Sequence, residues 1–174
     1  MKKKKILAIS GSTRKDSSNE KLIRFISETS SDLFEFSYFD ISSLPFFNQD
    51  TDNSEVPKSV TDFRKIIENS DGVLICTPEY VFSIPGILKN AIEWTVSTVV
   101  FSDKPTAIIT ASSSGIKAHE SLLLVMKTVG VKLPDTSALL IQSIRSKTNN
   151  EGEVTDLLTL KQLNELIQSL NNSI

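Results

Sequence analysis

The sequence predicts an α/β fold, a parallel sheet of five strands with helices on both faces. Three observations carry that reading. Short apolar runs alternate with helical patterns along the whole chain. Most of the runs show little in-and-out alternation, as expected of strands covered on both faces. The segments between them repeat their apolar residues at the spacing of a helix face. Strands joined by right-handed helical crossovers run parallel, and five of them suggest the order 2-1-3-4-5.

The elements follow in order. Lys4 to Ser10 ("KKILAIS") is a short strand rich in β-branched residues. Ser18 to Ser31 carries Leu22, Ile23, Phe25 and Ile26 at helical spacing. Leu33 to Ile41 alternates and reads as a strand near an edge, and "SLPFFNQDTDN" reads as a loop. Val56 to Asn69 is a helix through Val60, Phe63, Ile66 and Ile67, and Asp71 to Thr77 is a continuous apolar strand. Pro85 to Val99 is read as helix, Pro105 to Ser112 as strand, and Lys117 to Val129 as helix. Ser137 to Ile144 is the last strand and Leu157 to Leu170 the closing helix.

At 174 residues the chain is read as one domain spanning positions 1–174, large enough for a real core. A net charge of −2 gives no reason to expect nucleic acid or an anionic membrane as partner. Lys2 to Lys5 lead straight into an apolar run and read as a solvated strand entrance. No apolar run approaches the ~20 residues that span a bilayer. The single cysteine, Cys76, excludes an internal disulfide framework, and with only His119 beside it a His/Cys metal site is not expected. Together these features suggest a cytoplasmic protein.

In such a sheet, ligands bind beyond the carboxyl ends of the strands. Three loops emerge there, and each is unusual. The first, "SGSTRKDSSN", offers the hydroxyls of Ser10, Ser12, Thr13, Ser17 and Ser18, the amide of Asn19 and the guanidinium of Arg14. Small residues let successive N–H groups converge, and the helix that follows adds its positive N-terminal dipole. The result is an anion cradle, and its lack of spaced glycines suits a single phosphate monoester rather than a pyrophosphate. A plain Ser-rich turn with a helix cap is the alternative.

The second loop, Thr77 to Ser83, holds Pro78, Glu79, Tyr80, Val81 and Phe82. Ser83 is expected to cap the next helix and Pro85 to sit in its first turn. Tyr80 and Phe82 would wall a flat aromatic ligand or make a subunit contact. Glu79 faces that ligand or serves as a first-turn carboxylate. The third loop, Ala111 to Glu120, carries Ser112, Ser113, Ser114 and Gly115, with Ser112 nearest the strand end. His119 follows with no acid or nucleophile set beside it by any motif, and reads as a surface or interface residue. A phosphate cradle beside a flat, aromatic-walled slot describes FMN.

These residues resemble those of the NADPH-dependent FMN reductases, flavodoxin-like proteins that include quinone, azo-dye and chromate reductases. "GSTRKDSSN" is similar to that family's phosphate loop, G-S-x-R-x-x-S-x-N, and "LPFFNQD" to its L-P-x-[YF]-[ND] segment. "TPEYVFSIPGILKNAIEW" is similar to T-P-E-Y-N-x-S-I-P-G-x-L-K-N-A-I-D-W. The resemblance implies that Ser12, Arg14, Ser17 and Asn19, with Ser18, hold the FMN phosphate. It implies that Pro78, Glu79, Tyr80 and Val81 form the flavin loop and that Ser112, with Gly115, approaches the isoalloxazine. Two departures stand out: Val81 replaces an asparagine, and Lys117 and Ala118 follow the third loop where relatives often have paired glycines and a small residue.

The resemblance further implies NADPH or NADH as electron donor, a small-molecule acceptor such as a quinone, azo compound, metal oxyanion or free flavin, and assembly as a homodimer or homotetramer. No protein nucleophile or general base is required, so no catalytic residue is expected in the strict sense. A non-enzymatic flavodoxin-like carrier or a flavin sensor is the competing reading. Trp94 suggests either an assembly face or an ordinary core helix.

Overall fold

The computed structural model describes residues 2–174. Five strands, β1 (Lys4–Ser10), β2 (Phe34–Tyr38), β3 (Gly72–Thr77), β4 (Thr106–Ser112) and β5 (Ala138–Gln142), pair in parallel in the order β2-β1-β3-β4-β5. This is the flavodoxin-like order expected from the sequence. Six α-helices surround the sheet: α1 (Ser18–Thr29), α2 (Gln49–Asn53), α3 (Lys58–Glu68), α4 (Gly86–Glu93), α5 (Ile116–Thr128) and α6 (Leu157–Ser173).

The strands read as unbroken apolar runs because successive side chains enter two separate cores. Ile6, Ala8, Leu74, Cys76 and Ile109 pack under α1 and α6, against Leu22, Ile26, Leu163 and Ile167. Leu7, Ile9, Val73, Ile75 and Ile108 pack under α3, α4 and α5, against Val60, Phe63, Leu88, Leu122 and Met126. At roughly 1.5–3 kcal/mol for each large aliphatic side chain buried, neither face can be given up, and a one-residue slip of any central strand would exchange them.

Several boundaries differ from expectation. The edge strand ends at Tyr38 rather than Ile41, because Asp40 turns the chain and its carboxylate accepts from Ser42 N at 2.9 Å. The presumed loop contains α2, capped by Asn48, whose side chain accepts from the amides of Asp50 and Thr51. The helix begun at Gly86 stops at Glu93, well short of Val99. The run that follows, Thr95 to Val100, is rich in β-branched residues, and Thr95 and Thr98 bond back to the carbonyls of Ile92 and Thr95.

Ser83 does not cap α4. The cap position is Pro85, with no side-chain bond, while Ser83 pairs with Tyr80 across a turn. Trp94 is a core residue and not a surface for assembly: it is fully buried, its indole N–H donates to Pro45 O at 2.8 Å, and its ring meets Phe47 edge-on at 5.1 Å. Among the described residues no helix is long and apolar enough to cross a membrane.

Parallel pairing sends the carboxyl ends of all five strands to one edge of the sheet. The loops leaving β1, β3, β4 and β5 meet there.

Candidate functional site: a cleft at the carboxyl ends of the strands

The loop after β1 is fixed at both ends. Gly11 N donates to Cys76 O at 2.8 Å, holding the chain against β3 as it leaves the sheet. Ser17 caps α1, its buried hydroxyl accepting from Glu20 N at 3.1 Å, while the Glu20 carboxylate takes Asp16 N at 3.1 Å. This is a variant of the capping box. It leaves the first-turn amides of Ser18 and Asn19 without helical partners, which is the condition for anion binding at a helix start. Ser12 sits inside the loop, its hydroxyl accepting from Arg14 N at 3.3 Å.

The Asn19 side chain is placed differently from expectation. It is buried, donates to Ala111 O at 3.2 Å and accepts from Cys76 Sγ at 3.2 Å. It therefore braces β3 and β4 beneath the loop, and its backbone amide is the part that can serve an anion. Cys76, buried beneath it, has its thiol pushed up by burial and stays protonated.

The turn after β3 carries an unusual backbone. Tyr80 and Ser83 exchange backbone bonds of 3.0 and 3.1 Å, and Val81 and Phe82 between them have φ of 51° and 55°. Two consecutive left-handed residues make a type I′ turn, which favours Asn and Gly and disfavours a β-branched side chain. The asparagine of the resembling motif at position 81 suits this conformation better than valine does. Both side chains at the tip are largely exposed, and neither lines the cleft described below.

Glu79 is neither a first-turn acid of α4 nor an open wall. Its carboxylate accepts from Gly115 N at 3.2 Å, Lys117 N at 2.9 Å and Ala118 N at 3.0 Å, the free amides at the start of α5. Its own amide donates to Ser112 Oγ at 3.3 Å. One residue thus locks the second loop to the third. It also explains Gly115, which sits at the α5 cap with φ of 84°, behind the cleft and not in its lining. Replacing Glu79 with Ala is expected to cost about 1–3 kcal/mol in urea unfolding, with Gln recovering part of it. An Ala variant as stable as the parent would show that the clamp contributes nothing.

His119 is not a free surface histidine. It is half-buried on α5, with Nδ1 3.0 Å from Thr110 Oγ1 on β4. Burial pulls its imidazole below the usual range, against an opposing pull from Glu120. The ring is a neutral brace at physiological pH.

The loops enclose one cleft of about 570 Å³, within the span of ~300–1,000 Å³ common for small-molecule sites. Ser12, Arg14, Ser17, Ser18 and Asn19 line one end. Pro78, Glu79 and Tyr80 come from the second loop, and Ala111, Ser112 and Ser113 from the third. Of the residues expected at the site, Ser10, Thr13, Val81, Phe82 and Gly115 fall outside this lining. Sequence reasoning missed the fourth wall, Ser143 to Ser146 beyond β5. A second cleft of about 670 Å³ lies on the other flank of the first loop, against β2, and shares Ser12 and Arg14. It receives nothing from the loops after β3 and β4, so it lacks the slot half of the arrangement.

Residues 4–146 match the model of one family, NADPH-dependent FMN reductase. The chain belongs to that family. It is an FMN- and NAD(P)H-dependent oxidoreductase. The chain is similar to the 2-hydroxy-1,4-benzoquinone reductase of a Burkholderia species, 34% identical over 165 residues that cover 91% of this chain and 90% of the relative. It is also similar to the NAD(P)H:quinone oxidoreductase of Solanum tuberosum, 32% identical over 175 residues, 95% of this chain and 90% of that one. Among solved structures, the flavoenzyme NAD(P)H:(acceptor) oxidoreductase FerB from Paracoccus denitrificans superimposes with a TM-score of 0.86 at 32% identity. That superposition covers 97% of this chain and 96% of FerB. The cleft fits the cofactor: hydroxyls, a guanidinium and unpaired helix amides in the first loop, and Pro78, Tyr80 and Ala111 beside Ser112 and Ser113 in the second and third.

Proposed function

We propose that the cleft holds FMN with its phosphate in the Ser12–Asn19 loop and its ring between Pro78–Tyr80 and Ser112. In this reading the enzyme passes electrons from NAD(P)H to a quinone-type acceptor. The observation that carries it is the meeting of an anion cradle with the Pro78–Tyr80 and Ser112 walls in a single cleft. Bound FMN supplies the hydride and electron chemistry. The chain's own residues bind and orient. Arg14 and the first-turn amides of α1 neutralise the phosphate. The Glu79 clamp holds the two loops flanking the slot at a fixed separation. Tyr80 and Pro78 present an apolar wall, and half of the Tyr80 surface stays open to an incoming donor or acceptor.

No acid–base residue is assigned. Glu79 is consumed by three amides, His119 faces Thr110, and Cys76 is buried. Quinones are favoured as acceptors because relatives across most of the chain reduce them by name. Residues 1–174 would act as one domain, as the packing of α6 beside α1 in one core supports. Assembly as a homodimer or homotetramer is supported by the exposed Val81, Phe82, Val96 and Val99. Sedimentation as a monomer at micromolar concentration would remove that part. A single buried thiol fits a reducing, cytoplasmic setting.

The test is Arg14→Ala. FMN should bind about 10- to 100-fold more weakly while the fold is kept, as expected for loss of one charge-assisted contact of ~1.5–3 kcal/mol. Unchanged FMN affinity by fluorescence titration would take Arg14 out of the site.

A further inference from the structure

The wall that the sequence reading missed carries a second guanidinium. We infer that Arg145, on the loop after β5, is a phosphate-monoester ligand in this cleft. The inference rests on the reading of the cleft as the FMN site.

Three observations bring Arg145 there. It lines the same cleft as Arg14, from the β5 edge of the sheet. Its loop is built to hold it. Ser143 takes a left-handed conformation, φ 53° and ψ 40°, which a serine adopts only when its surroundings impose it. Its amide donates to Ser113 O at 3.1 Å, tying the loop to the one after β4. Ile144 is buried in the α1/α6 core, and Ser146 closes a single helical turn onto Ser143 O through both its amide and its hydroxyl, each at 2.9 Å. Arg145 is therefore an exposed side chain on a pinned backbone. Strained, over-determined backbone of this kind gathers at functional sites.

The third observation is charge. Among the described residues neither Arg14 nor Arg145 takes part in an ion pair, and the one carboxylate in the cleft lining, Glu79, is engaged by three amides. A phosphate monoester carries about −1.5 to −2 at neutral pH. Arg14 and the α1 terminus together offer about +1.5. A second guanidinium completes the neutralisation and adds a planar, bidentate donor.

Two phosphate monoesters visit such an enzyme, the 5′-phosphate of FMN and the 2′-phosphate of NADPH. The experiment separates them. Arg145→Gln and Arg145→Lys are titrated with FMN and with riboflavin, which lacks the phosphate. Each loaded variant is then assayed for KM with NADPH and with NADH. The expected result for Gln is a loss of ~10-fold or more in one phosphate-dependent pair, with Lys recovering part of it. Weaker FMN with unchanged riboflavin assigns the flavin phosphate. A raised KM for NADPH with an unchanged KM for NADH assigns the 2′-phosphate. If all four constants stay within about twofold of the parent, or all shift together, the inference is overturned while the site reading stands. A parent protein that binds no flavin overturns the site reading, and this inference with it.

Discussion

Gly11→Ala is expected to produce a protein that folds with reduced stability and retains FMN poorly. A methyl at this position would lie 2.2 Å from Thr77 Oγ1 and 2.7 Å from Thr77 Cβ. Real atoms do not approach so closely, and Thr77 is fully buried at the end of β3. The strain can be relieved only by moving β3 or by lifting the first loop off it, which breaks the bond of Gly11 N to Cys76 O. Overpacking of this kind costs roughly 1–3 kcal/mol. In a chain of this size that corresponds to a fall in Tm of about 2–12 °C. The displaced segment leads directly to Ser12 and Arg14, so FMN affinity should fall at least ~10-fold even where the variant is folded. Adding Thr77→Ala removes the nearest atom, Oγ1, and should recover part of both losses. Parental stability and parental FMN affinity in Gly11→Ala would show that the close approach has no role.

Arg64→Ala should have the opposite profile, a large loss of stability with little change at the site. Arg64 donates through Nε to Trp94 O at 2.7 Å and through Nη2 to the same carbonyl, to Ser97 Oγ at 3.1 Å and to Asp52 Oδ1 at 2.5 Å. One guanidinium thereby closes the end of α4, holds α2 and anchors both to α3. The Asp52 side chain is only 3% exposed and that of Arg64 15%. Removing Arg64 strips the Asp52 carboxylate and the Trp94 carbonyl of their donor at a half-buried site, at a cost of about 2–3 kcal/mol.

The pH dependence follows from Asp52. Burial alone would raise its pKa, but the hydrogen bonds from Ser97 and Arg64 and the guanidinium charge outweigh burial and lower it. A lowered folded value means stability that is present above the unfolded value of 3.8 and is lost as pH falls through the folded one. The stability gap between parent and Arg64→Ala, measured by urea unfolding, should therefore narrow below that pH. A gap that stays constant or widens would contradict the ion-pair account. FMN affinity of the folded variant should stay within about threefold of the parent, because none of these groups lines the cleft.

The contrast between these variants shows which parts of the molecule were legible in the sequence. The sheet was, because both faces are buried and its runs "ILAI", "VLIC" and "AIIT" carry that fact locally. The place of the first loop in the cleft was legible, because ligand clefts in such a sheet open beyond the carboxyl ends of the strands. Glu79 was only half legible: its place beside the slot could be read, but the helix it caps begins more than 30 residues later, and no local pattern announces such a contact. Asn19 lines the cleft as expected, but its side chain is turned to Ala111 and Cys76, contacts likewise distant in sequence. The Arg145 wall was invisible because "QSIRSKT" has no glycine, aromatic or hydroxyl run to mark it, and because its tie to the loop after β4, from Ser143 N to Ser113 O, joins residues 30 apart. The early end of α4 was readable in its β-branched tail, but the spacing of Leu88, Ala91, Ile92 and Thr95 suggested a longer helix.

The central claim is that this cleft holds FMN where a nicotinamide can reduce it. The most direct measurement is the absorbance of the purified protein with one equivalent of FMN, before and after NADPH is added without oxygen. The account predicts that flavin co-elutes with the protein and that its band near ~450 nm bleaches on addition of NADPH or, failing that, NADH, and returns when a quinone is added. Flavin that binds but stays oxidised with both donors would contradict the reductase. Flavin that does not bind at all would contradict the site.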